Sequence, residues 1–106
     1  MFWFKRKNKN EDVLRQMDGR EIKYVTQRIR EEDGTVKEAI LGKRGRIVVL
    51  NDEIVVMCGE KDVFRCKVAD AVYYTLLSGD GITVSGFNQV SGERADIIVY
   101  YTYYRK

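Results

Sequence analysis

The stretch Arg46 to Cys58, RIVVLNDEIVVMC, does most to limit what this chain can fold into. Two β-branched runs flank Asn51-Asp52, a pair that tolerates positive φ, so the pattern reads as a tight hairpin. A two-residue loop sets Val49 opposite Ile54 and Ile47 opposite Val56, which makes one face wholly β-branched. The other face carries Arg46, Val48, Leu50, Glu53, Val55 and Met57 and is mixed. A pair this apolar belongs among the inner strands of a sheet.

The same period of two recurs along the chain. Ile22 to Arg30 and Thr35 to Leu41 flank an EEDGT turn, and a loop centred on Asp33-Gly34 aligns Ile29 with Glu38 and Gln27 with Ile40. That half-polar face predicts a peripheral hairpin. Val63 to Val68 turns Phe64, Cys66 and Val68 inward. Ile82 to Phe87 alternates after Ser78-Gly79-Asp80-Gly81, Asn88 to Arg94 reads as a polar loop, and Ala95 to Arg105 is a closing strand apolar on both faces. Residues 69 to 77 fit both periods, and their aromatic and β-branched content favours strand. Ahead of these, EDVLRQMD (residues 11 to 18) predicts a short helix capped by Asn10 and ended by Gly19, with Val13, Leu14 and Met17 on one face. The expected fold is mainly β, a small antiparallel barrel or sandwich of six or seven strands with one short N-terminal helix. Residues 1–9 form an aromatic and basic segment, and residues 10–106 form a single β domain.

Composition narrows the function. The chain has 106 residues, 44% hydrophobic and 33% charged, with no proline and no histidine. Missing proline suits strands joined by Gly and Asn/Asp turns. Missing histidine removes the commonest general base and metal ligand. No Ser/His or Cys/His pair, nucleophile elbow or phosphate-binding glycine loop is present, so neither an enzyme nor a cofactor is expected. The start, MFWFKRKNK, reverses the order of a secretory signal, and no apolar run reaches membrane-spanning length, which points to the cytoplasm.

Three features invite binding. Gly42 and Gly45 bracket Lys43 and Arg44 in LGKRGRIV, as in the backbone-clamping loop of KH domains. That family sets its loop between helices, whereas strands flank this one, so a glycine-rich turn with solvated cations is the plainer expectation. The ending YYTYYRK puts Tyr101 and Tyr103 on one strand face, where exposed rings could stack bases. Tyrosine is also a common strand residue that caps a core edge, and packing is the stronger expectation here and at Tyr73 and Tyr74. Phe2, Trp3 and Phe4 before a basic run could sit on an anionic membrane.

From Gly45 onward, GRIVVLNDEIVVMCGEKDVFRCKVADAV, followed by LLSGDGITVSG, resembles GRAM and other pleckstrin-homology-like β domains across residues 45–87. The resemblance implies a small barrel that binds lipid, peptide or protein. That family closes its barrel with a carboxy-terminal helix, and this chain ends in a strand. The SGDG turn and tyrosine-rich ending also resemble small uncharacterised proteins of anaerobic Gram-positive bacteria, a likeness that implies no function.

These readings rank a non-enzymatic module with an unknown protein partner first. Weak nucleic-acid binding through Lys43, Arg44, Arg46, Tyr101 and Tyr103 comes second, and peripheral membrane contact third. Homo-oligomers are compatible with all three. For the cysteines, facing Cys58 and Cys66 to one core aligns Cys58 with Phe64 and Val56 with Cys66 and leaves Gly59 to Val63 as the loop. Their α-carbons are then about 7 to 8 Å apart, beyond the reach of about 4.4 to 6.8 Å that a disulfide spans. Two buried free thiols with no metal or redox role are expected.

Overall fold

The computed structural model describes residues 12–101. Asn10, Tyr103 and the segment 1–9 lie outside the described residues. A short helix, α1 (residues 12–17), leads into seven strands: β1 (Arg20–Arg30), β2 (Val36–Leu50), β3 (Glu53–Cys58), β4 (Lys61–Lys67), β5 (Val72–Thr75), β6 (Gly81–Asn88) and β7 (Glu93–Tyr100). All pairings are antiparallel, in the order β4-β3-β2-β1-β7-β6-β5. Met17 is buried against the sheet with Val13 and Leu14 beside it, as their spacing implies. Gly19, at φ 80°, ends the helix, and its N–H donates to the Ile47 carbonyl at 2.7 Å.

The β2–β3 hairpin has the expected register, with Val49 opposite Ile54 and Ile47 opposite Val56. Asn51 and Asp52 both take positive φ (51° and 62°), the geometry whose twist matches paired strands. The β1–β2 hairpin corrects the sequence reading by one residue, because Ile29 faces Lys37 and Gln27 faces Ala39. Here only Gly34 is left-handed (φ 92°), and Glu31 pairs with Thr35 through its N–H at 2.8 Å. The loop therefore holds residues 32–34, a three-residue turn with a glycine bulge. The Asp33 carboxylate accepts from the Thr35 N–H (3.0 Å) and hydroxyl (2.7 Å), which holds its carboxyl below the usual range.

Three further differences have local causes. Gly42 to Arg46 is no turn, since β2 runs unbroken through it for 15 residues. The ladder absorbs Leu41 as a bulge between Val25 and Thr26, and Arg44 adopts φ 54°. The β3–β4 loop is Gly59-Glu60, so Val56 faces Phe64, Ile54 faces Cys66 and Cys58 faces Lys61, with a bulge after Val56. Phe64 and Cys66 are buried as expected, while Cys58 is only half-buried, and both thiols are free. Residues 68–70 form one turn of 3-10 helix before β5, which is a strand as its composition suggests. Asn88 belongs to β6 and is 2% exposed, not part of a polar loop.

That burial explains the architecture. The single sheet rolls until β4 meets the far end of β6, and the Asn88 side chain and one backbone bond stitch the seam where no ladder forms. The Arg65 N–H donates to Asn88 Oδ1 (3.1 Å), Asn88 Nδ2 donates to the Val63 carbonyl (3.4 Å), and the Gln89 N–H reaches the Arg65 carbonyl (2.7 Å). The Phe87 N–H donates to Asp70 at 2.8 Å. The sheet stays open, so it approaches a barrel without completing one. Its inner face packs Ile22, Ile47, Ile54, Val56, Phe64, Ile82, Val84, Ile97 and Val99 into one core.

Candidate binding groove

Ile22 and Val25 both enter the core, although a regular strand would put residues three apart on opposite faces. The pairing keeps one register from Arg20↔Ile47 to Val25↔Gly42 and shifts only between Val25 and Thr26, while Arg44, between Lys43 and Gly45, is left-handed. Gly45 also pairs with Cys58, and a Cβ there would run into the Met57 carbonyl, so the strands approach closely only because this residue is glycine.

A groove of about 700 Å³ lies here, lined by Glu21, Ile22, Lys23, Arg44, Gly45, Arg46, Met57 and Gly59. Three cations face one carboxylate, with the half-buried Met57 as an apolar patch. Arg44 and Arg46 are exposed, and neither forms an ion pair among the described residues. Arg46 Nη1 donates to the Gly19 carbonyl at 3.4 Å, and the Gly59 N–H donates to the Arg44 carbonyl at 3.2 Å.

The residues singled out from sequence separate here. Arg44 and Arg46 share the groove. Lys43 does not line it but pairs with Tyr24, whose ring stacks on Tyr100 at 4.4 Å. Tyr101 is 9% exposed, with the Arg20 guanidinium 4.0 Å above its ring, and burial pushes its hydroxyl pKa up. Lys23, Glu21 and Met57 escaped the sequence reading. Extending the Glu21–Tyr24 pairing past Leu41 would have found the first two, but reading Gly42–Arg46 as a turn hid it.

Two smaller grooves are closer to neutral. One of about 500 Å³ holds Lys67, Phe87, Gln89 and an Arg94–Asp70 ion pair of 3.3 Å. The Phe87 N–H, followed by Arg94, holds the Asp70 carboxyl below the usual range. The other, of about 340 Å³, sets Arg28 and Arg30 beside Asp96 and Val36. Burial pushes the Cys66 thiol up to about 11 and raises that of Cys58, so both stay protonated near neutrality.

Set beside known proteins, the chain matches no family model, no curated protein and no solved structure.

Proposed function

We propose that this protein is a non-enzymatic binding module that holds an acidic segment of a protein partner in the groove lined by β1, β2 and the end of β3. The observation that carries the reading is the convergence of Lys23, Arg44 and Arg46 on one concavity floored by Met57. Cations around an apolar patch suit a peptide that mixes carboxylates with an occasional apolar side chain. Among the described residues no aromatic ring lines the groove to stack a base, and Tyr101 is buried, which favours a peptide over nucleic acid as the ligand. The resemblance of residues 45–87 to GRAM-like domains implies the same broad class, binding without chemistry.

The test is fluorescence anisotropy with a labelled Glu-rich peptide and a single-stranded RNA of matched charge. Both are titrated at about 50 and about 200 mM salt, a range over which pure phosphate contacts weaken steeply. The peptide should bind, and Arg44→Glu with Arg46→Glu should abolish that binding while Lys61→Glu leaves it intact. RNA binding tighter than the peptide at the higher salt, or indifference to the double variant, would sink the reading.

A further inference from the structure

The two edges of the sheet differ in how they are protected. β4 carries Lys61, Asp62, Arg65 and Lys67, an Arg65–Glu53 ion pair at 3.1 Å, and the bonds of Asn88 and Gln89 to its Arg65 backbone. β5, the other edge, is Val72-Tyr73-Tyr74-Thr75, with no charge, no proline and no bulge. Those devices are the ones that keep an edge from pairing with another chain. Val72 and Tyr74 are 61% and 56% exposed, and the neighbouring Leu77 is fully exposed.

The hydrogen-bonding pattern of β5 is specific. The Leu76 N–H donates to Gly81, and the Tyr74 carbonyl accepts from the Thr83 hydroxyl, so the even-numbered residues turn their backbone groups toward β6. Alternation then turns the N–H and C=O groups of Tyr73 and Thr75 away from it. Among the described residues nothing bonds to them on that side.

We infer that β5 pairs antiparallel with β5 of a second copy of this chain about a two-fold axis through Tyr74. Two outward-facing residues, two apart, are what such a symmetric pair requires. Tyr73 and Thr75 of one copy exchange both backbone bonds with Thr75 and Tyr73 of the other. Tyr74 then meets its symmetry mate at a non-hydrogen-bonded position, where α-carbons approach to about 4.5 Å and side chains touch. An uncharged strand lies beside itself without like-charge repulsion. The contact is short, so the dimer is of the weak, concentration-dependent kind.

Sedimentation equilibrium across a concentration series should show reversible dimerisation, and Tyr74→Lys, which places two ammonium groups on the axis, should leave a monomer with an unchanged circular dichroism spectrum. In a Cys58→Ser background, Tyr74→Cys should form a disulfide-linked dimer under mild oxidation, whereas Val72→Cys, off the axis, should not. A wild-type protein that stays monomeric at millimolar concentration overturns the inference. Equal cross-linking of the two cysteine variants overturns it as well. Neither result bears on the groove, which lies on other strands.

Discussion

The two ends of β2 come from one continuous strand and have opposite surroundings. At its carboxy-terminal end Ile47 is fully buried, and its cross-strand partner Val56 and the neighbouring Ile54 are buried with it. At its amino-terminal end Val36 and Ile40 are 54% and 58% exposed, and Ile29 on the facing strand is exposed too. The residue types are nearly the same, so hydrophobicity does not decide the outcome. Coverage does. β3 pairs with β2 only over Gly45–Leu50, and β7 pairs with β1 only over Tyr24–Arg28, so the hairpin tip extends past both neighbours. Met17 of α1 packs into the core at the covered end.

The largest effect that could break this comparison is a charge placed at matched positions. Ile54→Asp leaves an unpaired carboxylate in the core and should cost more than about 4 kcal/mol, enough to abolish folding, while Ile40→Asp should stay within about 0.5 kcal/mol. Urea melts followed by circular dichroism measure both, and a folded Ile54→Asp protein would put that strand face in the wrong place.

Alkaline pH is a second way to probe the covered side. The folded Cys66 pKa is raised to about 11 from 9.0, so its contribution is fully present below pH 9 and is lost as pH rises through 11. Two units correspond to about 3 kcal/mol by the limit of that window. The difference in stability between wild type and Cys66→Ala, measured from pH 8 to 11, should shrink by that order. A difference independent of pH would mean the thiol is solvated.

Asn88→Ala removes the side chain that joins β4 to β6 and leaves the Arg65 N–H and Val63 carbonyl without it, at a cost of about 1 to 3 kcal/mol. Amide exchange should then quicken at Arg65 while the β1–β2 tip is unaffected. Equal change at both places would show that the tip depends on the seam after all.

The smallest effects belong to the tip itself. Gly34→Ala, at φ 92°, should cost about 1 kcal/mol, as expected for a left-handed position. The Asp33 carboxyl titrates below 3.8, so its hydrogen bonds to Thr35 stabilise the turn above that pH and are lost as pH falls through the lowered value. The Thr35 amide shift should follow that titration with a midpoint below 3.8. A midpoint at or above 3.8 would mean the turn does not form as described.

Local chemistry made much of this fold legible in advance. Asn51-Asp52 dictated the β2–β3 register because two adjacent positive-φ residues allow one kind of loop. Alternation placed Phe64 and Cys66 inward because a strand has only two faces, and Val13, Leu14 and Met17 marked a helix that docks. What the chain could not reveal locally depended on partners distant in sequence. Gly42 to Arg46 carries every mark of a turn, yet β1 on one side and β3 on the other hold it extended, and Gly45 is there for close approach to Met57, not for reversal. The groove follows from that, because Lys23 meets Arg44 and Arg46 only once β2 is continuous. The β3–β4 register slipped for the same kind of reason, since a bulge after Val56 costs little locally and is chosen by how Phe64 and Cys66 fit the shared core. Turn type and strand face are properties of neighbouring residues. Continuity, bulge position and exposure are decided by what packs alongside, and that is known only once the sheet has rolled.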